Sequence, residues 1–263
     1  NGVVVLFGGY DGINLLSDTW VYSVRTNTWT KMNPSVSPPA RFQHAMAYDS
    51  MNKVVVLFGG WDNADEWPPT HVLCDTWTYD VNTNSWAEKD PIDHPSGRLG
   101  HAMVYDSLHD EILLVGGRVG YSFLGDTWSY SVSTNTWALR NPTGDYFYPR
   151  AASPMAYDTE NNIAVVFGGD LWGSGAGADD TWKYDSTANS WHRRYPSAYP
   201  LGRYSHRLVY DSARKVCVLF GGEVHPIGRL GDTWLYDANT NTWQKESPSA
   251  SPSPRSGFGM VYD

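Results

Sequence analysis

The chain has 263 residues, of which 41% are hydrophobic and 14% aromatic, so it is long enough to bury a substantial core. Its formal net charge of −9 argues against a surface built for nucleic acid or anionic membranes. No apolar run approaches the roughly 20 residues of a membrane-spanning helix, and two cysteines are too few for a disulfide framework or a zinc site.

The first predicted elements are short β-strands separated by turns. Residues 3–9 (VVVLFGG), 18–23 (DTWVYS), 27–32 (NTWTKM) and 44–49 (HAMAYD) are rich in β-branched and aromatic residues. None of these segments has the hydrophobic period of a helix. The order starts again at residue 54 with VVVLFGG, which indicates an internal repeat.

The repeat is marked by paired glycines and by one recurring phrase. The glycine pairs are spaced by 51, 57, 52 and 53 residues. The phrase DTWVYSVRTNTW at 18–29 returns as DTWTYDVNTNSW, DTWSYSVSTNTW, DTWKYDSTANSW and DTWLYDANTNTW. Because one four-stranded unit cannot bury both of its faces, we expect the tryptophans of the phrase, such as Trp20 and Trp29, to fill the space between neighbouring units.

The double glycine, the third-strand Tyr and the fourth-strand Trp resemble the kelch motif over essentially the whole chain. The resemblance implies an all-β fold, a five-bladed β-propeller of four-stranded antiparallel blades. The chain starts on a second strand and ends after a first strand at 257–263, so we predict that the C-terminal strand pairs with the N-terminal blade and closes the ring. A fragment of a longer array is the alternative. The single domain, 1–263, divides into blades at 1–32 plus 255–263, 41–89, 98–140, 150–194 and 203–246.

Aromatic residues outside the repeat lie in the loops between second and third strands and in the connections between blades. Both kinds of loop leave the same face of the ring, because neighbouring strands are antiparallel. Exposed aromatic residues gathered on one face usually mark an interaction surface, and packing among the loops is the alternative for each of them. The candidate ligand-binding aromatic residues are Trp61, Trp67, Trp172, Tyr10, Tyr121, Tyr148 and Tyr204.

One arginine precedes each first strand, which would place five guanidinium groups near the mouth of the central channel. Repeated residues favour a structural role, bound to backbone carbonyls or to the repeated aspartates Asp18, Asp75, Asp126, Asp180 and Asp232. The kelch resemblance implies instead a pocket for an anionic ligand, since guanidinium binds two oxygens of a carboxylate, sulfate or phosphate. The candidates are Arg41, Arg98, Arg150, Arg203 and Arg255.

Three histidines, His44, His101 and His206, occupy matching first-strand positions and could in principle hold zinc. Because they follow the repeat and are separated around the ring, the sequence favours a structural role for them. The resemblance to kelch enzymes that use copper or iron does not extend to a matching set of ligands. We therefore predict no catalytic residue, no metal site and no cofactor.

These features favour a non-catalytic binding module that uses its long-loop face to bind a protein segment or a glycan. One alternative is a sugar-acting enzyme of mutarotase or lyase type, with Arg and His at the channel mouth. Another is a structural propeller within a larger surface or filament assembly. The richness in Asn, Thr, Ser and Trp with only six lysines resembles extracellular repeat proteins, so we expect an extracellular or cell-surface location.

Overall fold

The computed structural model describes residues 2–63, 68–69, 71–171, 173 and 175–262. Regular structure within these ranges is entirely β. A helix with the length and apolar character to cross a membrane is absent from the described residues.

Five antiparallel sheets, the blades, follow one another along the described chain. Blade 1 contains β1 (Val3–Tyr10), β2 (Leu15–Ser23) and β3 (Thr28–Met32). Blade 2 contains β4 (Ala45–Asp49), β5 (Val54–Phe58), β6 (Thr76–Asp80) and β7 (Ser85–Lys89). Blade 3 contains β8 (Ala102–Asp106), β9 (Glu111–Val115), a hairpin of β10 (Arg118–Val119) and β11 (Ser122–Phe123), and then β12 (Thr127–Ser131) and β13 (Thr136–Arg140).

The connection to blade 4 carries β14 (Thr143–Gly144), which pairs in parallel with the outermost strand of that blade. Blade 4 itself contains β15 (Met155–Asp158), β16 (Ile163–Phe167), β17 (Thr181–Asp185) and β18 (Ser190–Arg194). Blade 5 contains β19 (Arg207–Asp211), β20 (Val216–Phe220), a hairpin of β21 (Glu223–Val224) and β22 (Gly228–Arg229), and then β23 (Thr233–Asp237) and β24 (Thr242–Glu246).

The first strands of blades 2 to 5 line a central channel together with Met260 and Val261 of the C-terminal segment. The predicted all-β, five-bladed propeller is therefore confirmed. The C-terminal segment takes the innermost place expected for it, but no β-ladder joins 257–262 to β1 among the described residues, and blade 1 has three strands. In blades 2 to 5 the first and second strands pair directly in an antiparallel register.

The turn of the recurring phrase is fixed by its Tyr and Asn. In blade 2 the Tyr79 hydroxyl donates to Asn84 Oδ1 at 2.9 Å, and Asn84 has φ of 50°. Asn tolerates this left-handed conformation because its short polar side chain bonds locally. The same pair recurs in the other blades as Tyr22–Asn27, Tyr130–Asn135, Tyr184–Asn189 and Tyr236–Asn241.

The Thr and the second Trp of the phrase join neighbouring blades. The Trp86 indole nitrogen donates to Thr19 Oγ1 of the preceding blade at 3.0 Å, and both groups are buried. Trp86 also packs edge-on against Phe7, with 5.0 Å between the ring centroids. The equivalent 3.0 Å bonds at the next three interfaces are Trp137–Thr76, Trp191–Thr127 and Trp243–Thr181.

Trp29 differs from its counterparts in the other blades. We expected it to fill an interblade space, but its side chain is 50% exposed, whereas Trp86 and Trp137 are each 4% exposed. The cause is its position, since Trp29 faces the space between blade 5 and blade 1, where no core cluster forms among the described residues. We call this space the seam.

Candidate functional site

Four of the five candidate arginines are buried anchors between the strands of one blade. Arg41 donates to both carboxylate oxygens of Asp75 at 2.6 Å and to the Gly59 carbonyl at 3.0 Å. Asp75 also accepts the indole N–H of Trp77 at 2.7 Å. The other three such ion pairs are Arg98–Asp126, Arg150–Asp180 and Arg203–Asp232.

The aspartates of these ion pairs are ionised, and the arginine side chains are directed into the protein. Burial alone would raise the pKa of Asp126, but the hydrogen bonds and charge of Arg98 outweigh it and lower that pKa. The opposing contributions have the same signs at Asp180 and Asp232. Because the four guanidinium groups have essentially no exposed surface, this geometry matches the structural alternative considered from the sequence.

The fifth arginine differs from the others. Arg255 is exposed, and its guanidinium donates to the Ser253 carbonyl and hydroxyl at 3.0 Å. The aspartate equivalent to Asp75 in blade 1 is Asp18, which accepts the Trp20 indole N–H at 2.7 Å and lies 3.8 Å from the Lys31 ammonium. Arg255 is therefore the candidate arginine that a ligand can reach.

The channel mouth on the long-loop face, which we call the loop face, has one aromatic side. Phe42 and Trp61 face each other across a β-bridge and stack with 5.1 Å between ring centroids. Tyr10 extends the row, at 5.6 Å from Phe42. Trp61 is 5% exposed and forms the base of this row, while Tyr10 is 47% exposed and ends it in solvent.

The part of the mouth contributed by blades 4 and 5 is acidic. Asp170 and Glu223 occupy the positions equivalent to Trp61, bridged to Ala151 and Tyr204. Burial raises the pKa of Tyr204, and the negative charges of Glu223 and Asp170 raise it further. Both carboxylates therefore lie close to the half-buried Tyr204 ring.

The loops between second and third strands support one another from blade to blade. The Gly120 amide in the blade 3 hairpin donates to the Pro69 carbonyl of blade 2 at 2.6 Å. Between blades 4 and 5, the His225 amide donates to the Gly175 carbonyl at 2.8 Å. Tyr121 stands at the tip of the blade 3 hairpin and is 71% exposed.

A second group of aromatic residues lies on the outer edge of blade 4. Phe147 of the 141–149 connection inserts between the blades and stacks on Trp191, with 4.2 Å between centroids. Its neighbours Tyr146 and Tyr148 remain exposed and meet edge to face at 5.0 Å. The exposed aromatic residues therefore form separate groups, one at the mouth and one at the edge of blade 4.

The predicted site residues thus have different surroundings. Trp61 belongs to the loop core, Tyr204 is half-buried, and Tyr10, Tyr121 and Tyr148 are exposed. Trp67 and Trp172 lie outside the described residues. Sequence reasoning did not select Phe42, Asp170 and Glu223, although each stands at a repeat position where the residue type changes from blade to blade. That change in residue type was the available signal.

The three first-strand histidines are packing residues, of which His101 and His206 are buried and His44 is half-buried. His101 lies edge-on to Phe58, with 5.6 Å between ring centroids. Burial, with the charge of Arg98, lowers the pKa of His101 well below its usual value, and burial likewise lowers the pKa of His44 to about 4. Among the described residues no three His, Cys, Asp or Glu side chains are grouped to hold a metal ion.

A ring of five antiparallel blades with a double glycine in each, in which blades 2 to 5 have four strands and a buried arginine paired with an aspartate, is a propeller scaffold of the kelch class. The chain belongs to the kelch-repeat family: the model of the KLHDC2/KLHL20/DRC7 Kelch-repeats domain matches residues 1–197 and 159–263. Kelch propellers generally bind protein partners, and this fold is compatible with a protein-interaction module.

Curated relatives extend the comparison. The chain is 23% identical to Mei4-dependent protein 6 of Schizosaccharomyces pombe over 289 aligned residues, covering 99% of the chain and 41% of that protein. It is 27% identical to Kelch domain-containing protein 10 of Homo sapiens and of Bos taurus over 166 residues, covering 59% of the chain and 36% of those proteins. The chain thus spans well under half the length of these relatives.

Proposed function

We propose that this propeller binds an extended segment of a partner protein on its loop face, across the channel mouth. The observation that carries the proposal is the aromatic row of Trp61, Phe42 and Tyr10, which is fixed at its buried end and open to solvent at Tyr10. Rigid aromatic side chains lose little conformational entropy on binding and are enriched in interface cores.

The charges around the mouth favour a neutral or basic segment. Asp170 and Glu223 contribute carboxylates there, while four of the five arginines that would attract an acidic segment are buried in ion pairs and only Arg255 is exposed. A partner segment with an apolar or aromatic side chain on the row and a basic side chain toward the carboxylates would complement both features. Arg118 lies near Asp170 and limits how much basic charge the site accepts.

A glycan is the second candidate ligand, supported by the exposed rings of Tyr121 and Tyr148. The sugar-acting enzyme has no such support, because four of the arginines on which it depended are buried in ion pairs, and of the first-strand histidines His101 and His206 are buried and His44 is half-buried. An extracellular location is supported by composition alone.

The test is selection of binders from a random heptapeptide library, with a glycan array run in parallel. We expect enriched peptides to carry aromatic and basic residues and to lose binding at least tenfold to Tyr10→Ala and to Glu223→Gln. Tyr146→Ala is the matched control, since Tyr146 is an exposed loop tyrosine of the second aromatic group on the edge of blade 4. Enrichment of acidic peptides, or equal losses in Tyr10→Ala and Tyr146→Ala, would refute the proposed site, and glycan binding lost in Tyr121→Ala would favour the second candidate.

A further inference from the structure

The connection between blades 3 and 4 departs from the repeat in length and in sequence. Nine residues, 141–149, separate β13 from the next arginine, whereas eight residues fill the same interval after each of the other four blades. Three residues before that arginine the other connections have proline, and this connection has Phe147. Since the other blades fold without these differences, the propeller scaffold does not require them.

Phe147 holds the connection against the edge of blade 4 and separates two exposed tyrosines. Its ring is buried and stacks on Trp191, and the Arg150 guanidinium carbon lies 4.5 Å from its centroid. Tyr146 and Tyr148, on either side of Phe147, are 69% and 44% exposed. Because the residue between them is anchored, these two rings are held in solvent and lose little conformational freedom on binding a ligand.

The connection and the blades beneath it enclose a cavity of about 270 Å³, which we call the edge pocket. The buried pair of Phe147 and Trp191 lines it, and so does the exposed Tyr146. Gly125 and Gly144 also line the pocket and contribute no side chain to fill it. A preformed cavity with aromatic walls and few polar groups is typical of a site for a small ligand.

Asp145 supplies a polar group to the edge pocket. Its Oδ2 accepts the Arg193 backbone amide at 2.9 Å, which fixes the orientation of the carboxylate. Within the described part of the chain Oδ1 accepts no hydrogen bond, and the residue is exposed. The Arg193 guanidinium is directed elsewhere, over the Tyr195 ring at 5.3 Å from its centroid. Asp145 Oδ1 is therefore an acceptor that a ligand in the pocket can reach.

We propose that the edge pocket binds one neutral sugar unit of a glycan. An aromatic ring packs against the apolar face of a pyranose, and Tyr146 offers such a ring at the cavity. A carboxylate oxygen accepts hydrogen bonds from sugar hydroxyls, and Asp145 Oδ1 is placed for this contact. An acidic sugar would bring a second negative charge against Asp145, so a neutral unit fits better. This site serves the glycan that is the second candidate ligand of the proposed function, and it is separate from the partner-segment site at the channel mouth.

The experiment is an NMR titration of the full chain with methyl α-glucoside, methyl α-galactoside, methyl α-mannoside and methyl α-glucuronide, with a glycan array to find longer ligands. We expect at least one neutral sugar to shift the amide signals of Asp145 and Tyr146, and the glucuronide to bind at least tenfold more weakly. Tyr146→Ala should lower the affinity at least tenfold without lowering the melting temperature, because the side chain is exposed. Asp145→Asn can keep the bond to the Arg193 amide, so it should lower the affinity at least fivefold and remove the discrimination against the glucuronide. The matched control is Tyr199→Ala, at an exposed tyrosine of the next connection, which should leave binding unchanged.

Four results would each overturn the proposal. In the first, none of these sugars and no array glycan shifts the Asp145 and Tyr146 signals, whether or not selected peptides bind at the channel mouth. In the second, glycan binding is lost in Tyr121→Ala and kept in Tyr146→Ala, which places the glycan on the loop face and leaves the second candidate ligand in force. In the third, Tyr199→Ala weakens binding as much as Tyr146→Ala does. In the fourth, the glucuronide binds the unaltered chain as tightly as the neutral sugars do.

Discussion

Replacing Thr76 with valine tests whether the recurring phrase fastens neighbouring blades. Thr76 Oγ1 accepts the Trp137 indole N–H at 3.0 Å, and the two residues are 1% and 4% exposed. Valine keeps the shape and β-propensity of threonine but leaves this N–H buried without an acceptor, which costs about 1–3 kcal/mol. The added methyl group recovers a fraction of that, so we expect a net loss of about 1–2 kcal/mol in the free energy of unfolding.

The assay is equilibrium urea unfolding, with the slope of the free energy against urea unchanged so that the midpoint reports stability. The matched control is Thr233→Val, at the same strand position but facing the seam, where no described indole donates to it. We expect the control to change the free energy of unfolding by less than about 0.5 kcal/mol. A neutral Thr76→Val, or an equal loss in Thr233→Val, would refute the reasoning about how the blades are joined.

Three further predictions follow from the buried polar groups and glycines. Because burial lowers the folded-state pKa of His206 well below about 6.5, the unfolded chain binds more protons below that pH. Stability should fall by up to about 2 kcal/mol per such histidine between pH 7 and pH 5, and His206→Phe should reduce that fall in thermal melts. Arg150→Met leaves a buried carboxylate unpaired and should cost about 3–5 kcal/mol in urea unfolding, while the exposed Arg255→Met should be nearly neutral. Gly60→Ala, at φ of 101° with a Cβ 2.8 Å from its nearest neighbour, should lose about 2 kcal/mol more than Gly12→Ala, at φ of 99° in open space.

The scaffold could be predicted from the sequence because the same physical problem recurs in every blade. The aspartate of the phrase binds an arginine, as at Asp75, the threonine accepts an indole N–H, as at Thr19, and the Asn forms a left-handed turn, as at Asn84. A residue type that has the same structural role in successive blades recurs at a regular spacing. This spacing predicts the strand order and the number of blades. The sequence did not by itself show what that role is, which is why the arginines had both a structural and a ligand-binding interpretation.

Exposure of individual residues could not be predicted in the same way. Trp29 and Trp86 stand in identical phrases, yet one is half exposed and the other is buried, because burial depends on which blade lies opposite. Arg41 and Arg255 differ for the same reason, since Arg41 is paired with Asp75, whereas Arg255 bonds to Ser253 and has no aspartate partner among the described residues. Phe147 illustrates a third limit: its connection crosses to the next blade and fills a gap that no repeat position defines.

The candidate binding residues follow from the difference between residues that repeat in successive blades and positions whose residue changes from blade to blade. In blades 2 to 5 the repeated arginine binds a backbone carbonyl, such as that of Gly59, and a carboxylate, such as that of Asp75, so it points inward and cannot contact a ligand. The position directly after each glycine pair has no such structural role. Its residue differs from blade to blade and is tyrosine, tryptophan, arginine, aspartate or glutamate. Since these positions surround one channel mouth, their variation makes each sector of the mouth chemically different. Specificity for an asymmetric partner segment can therefore arise on a scaffold whose backbone repeats itself.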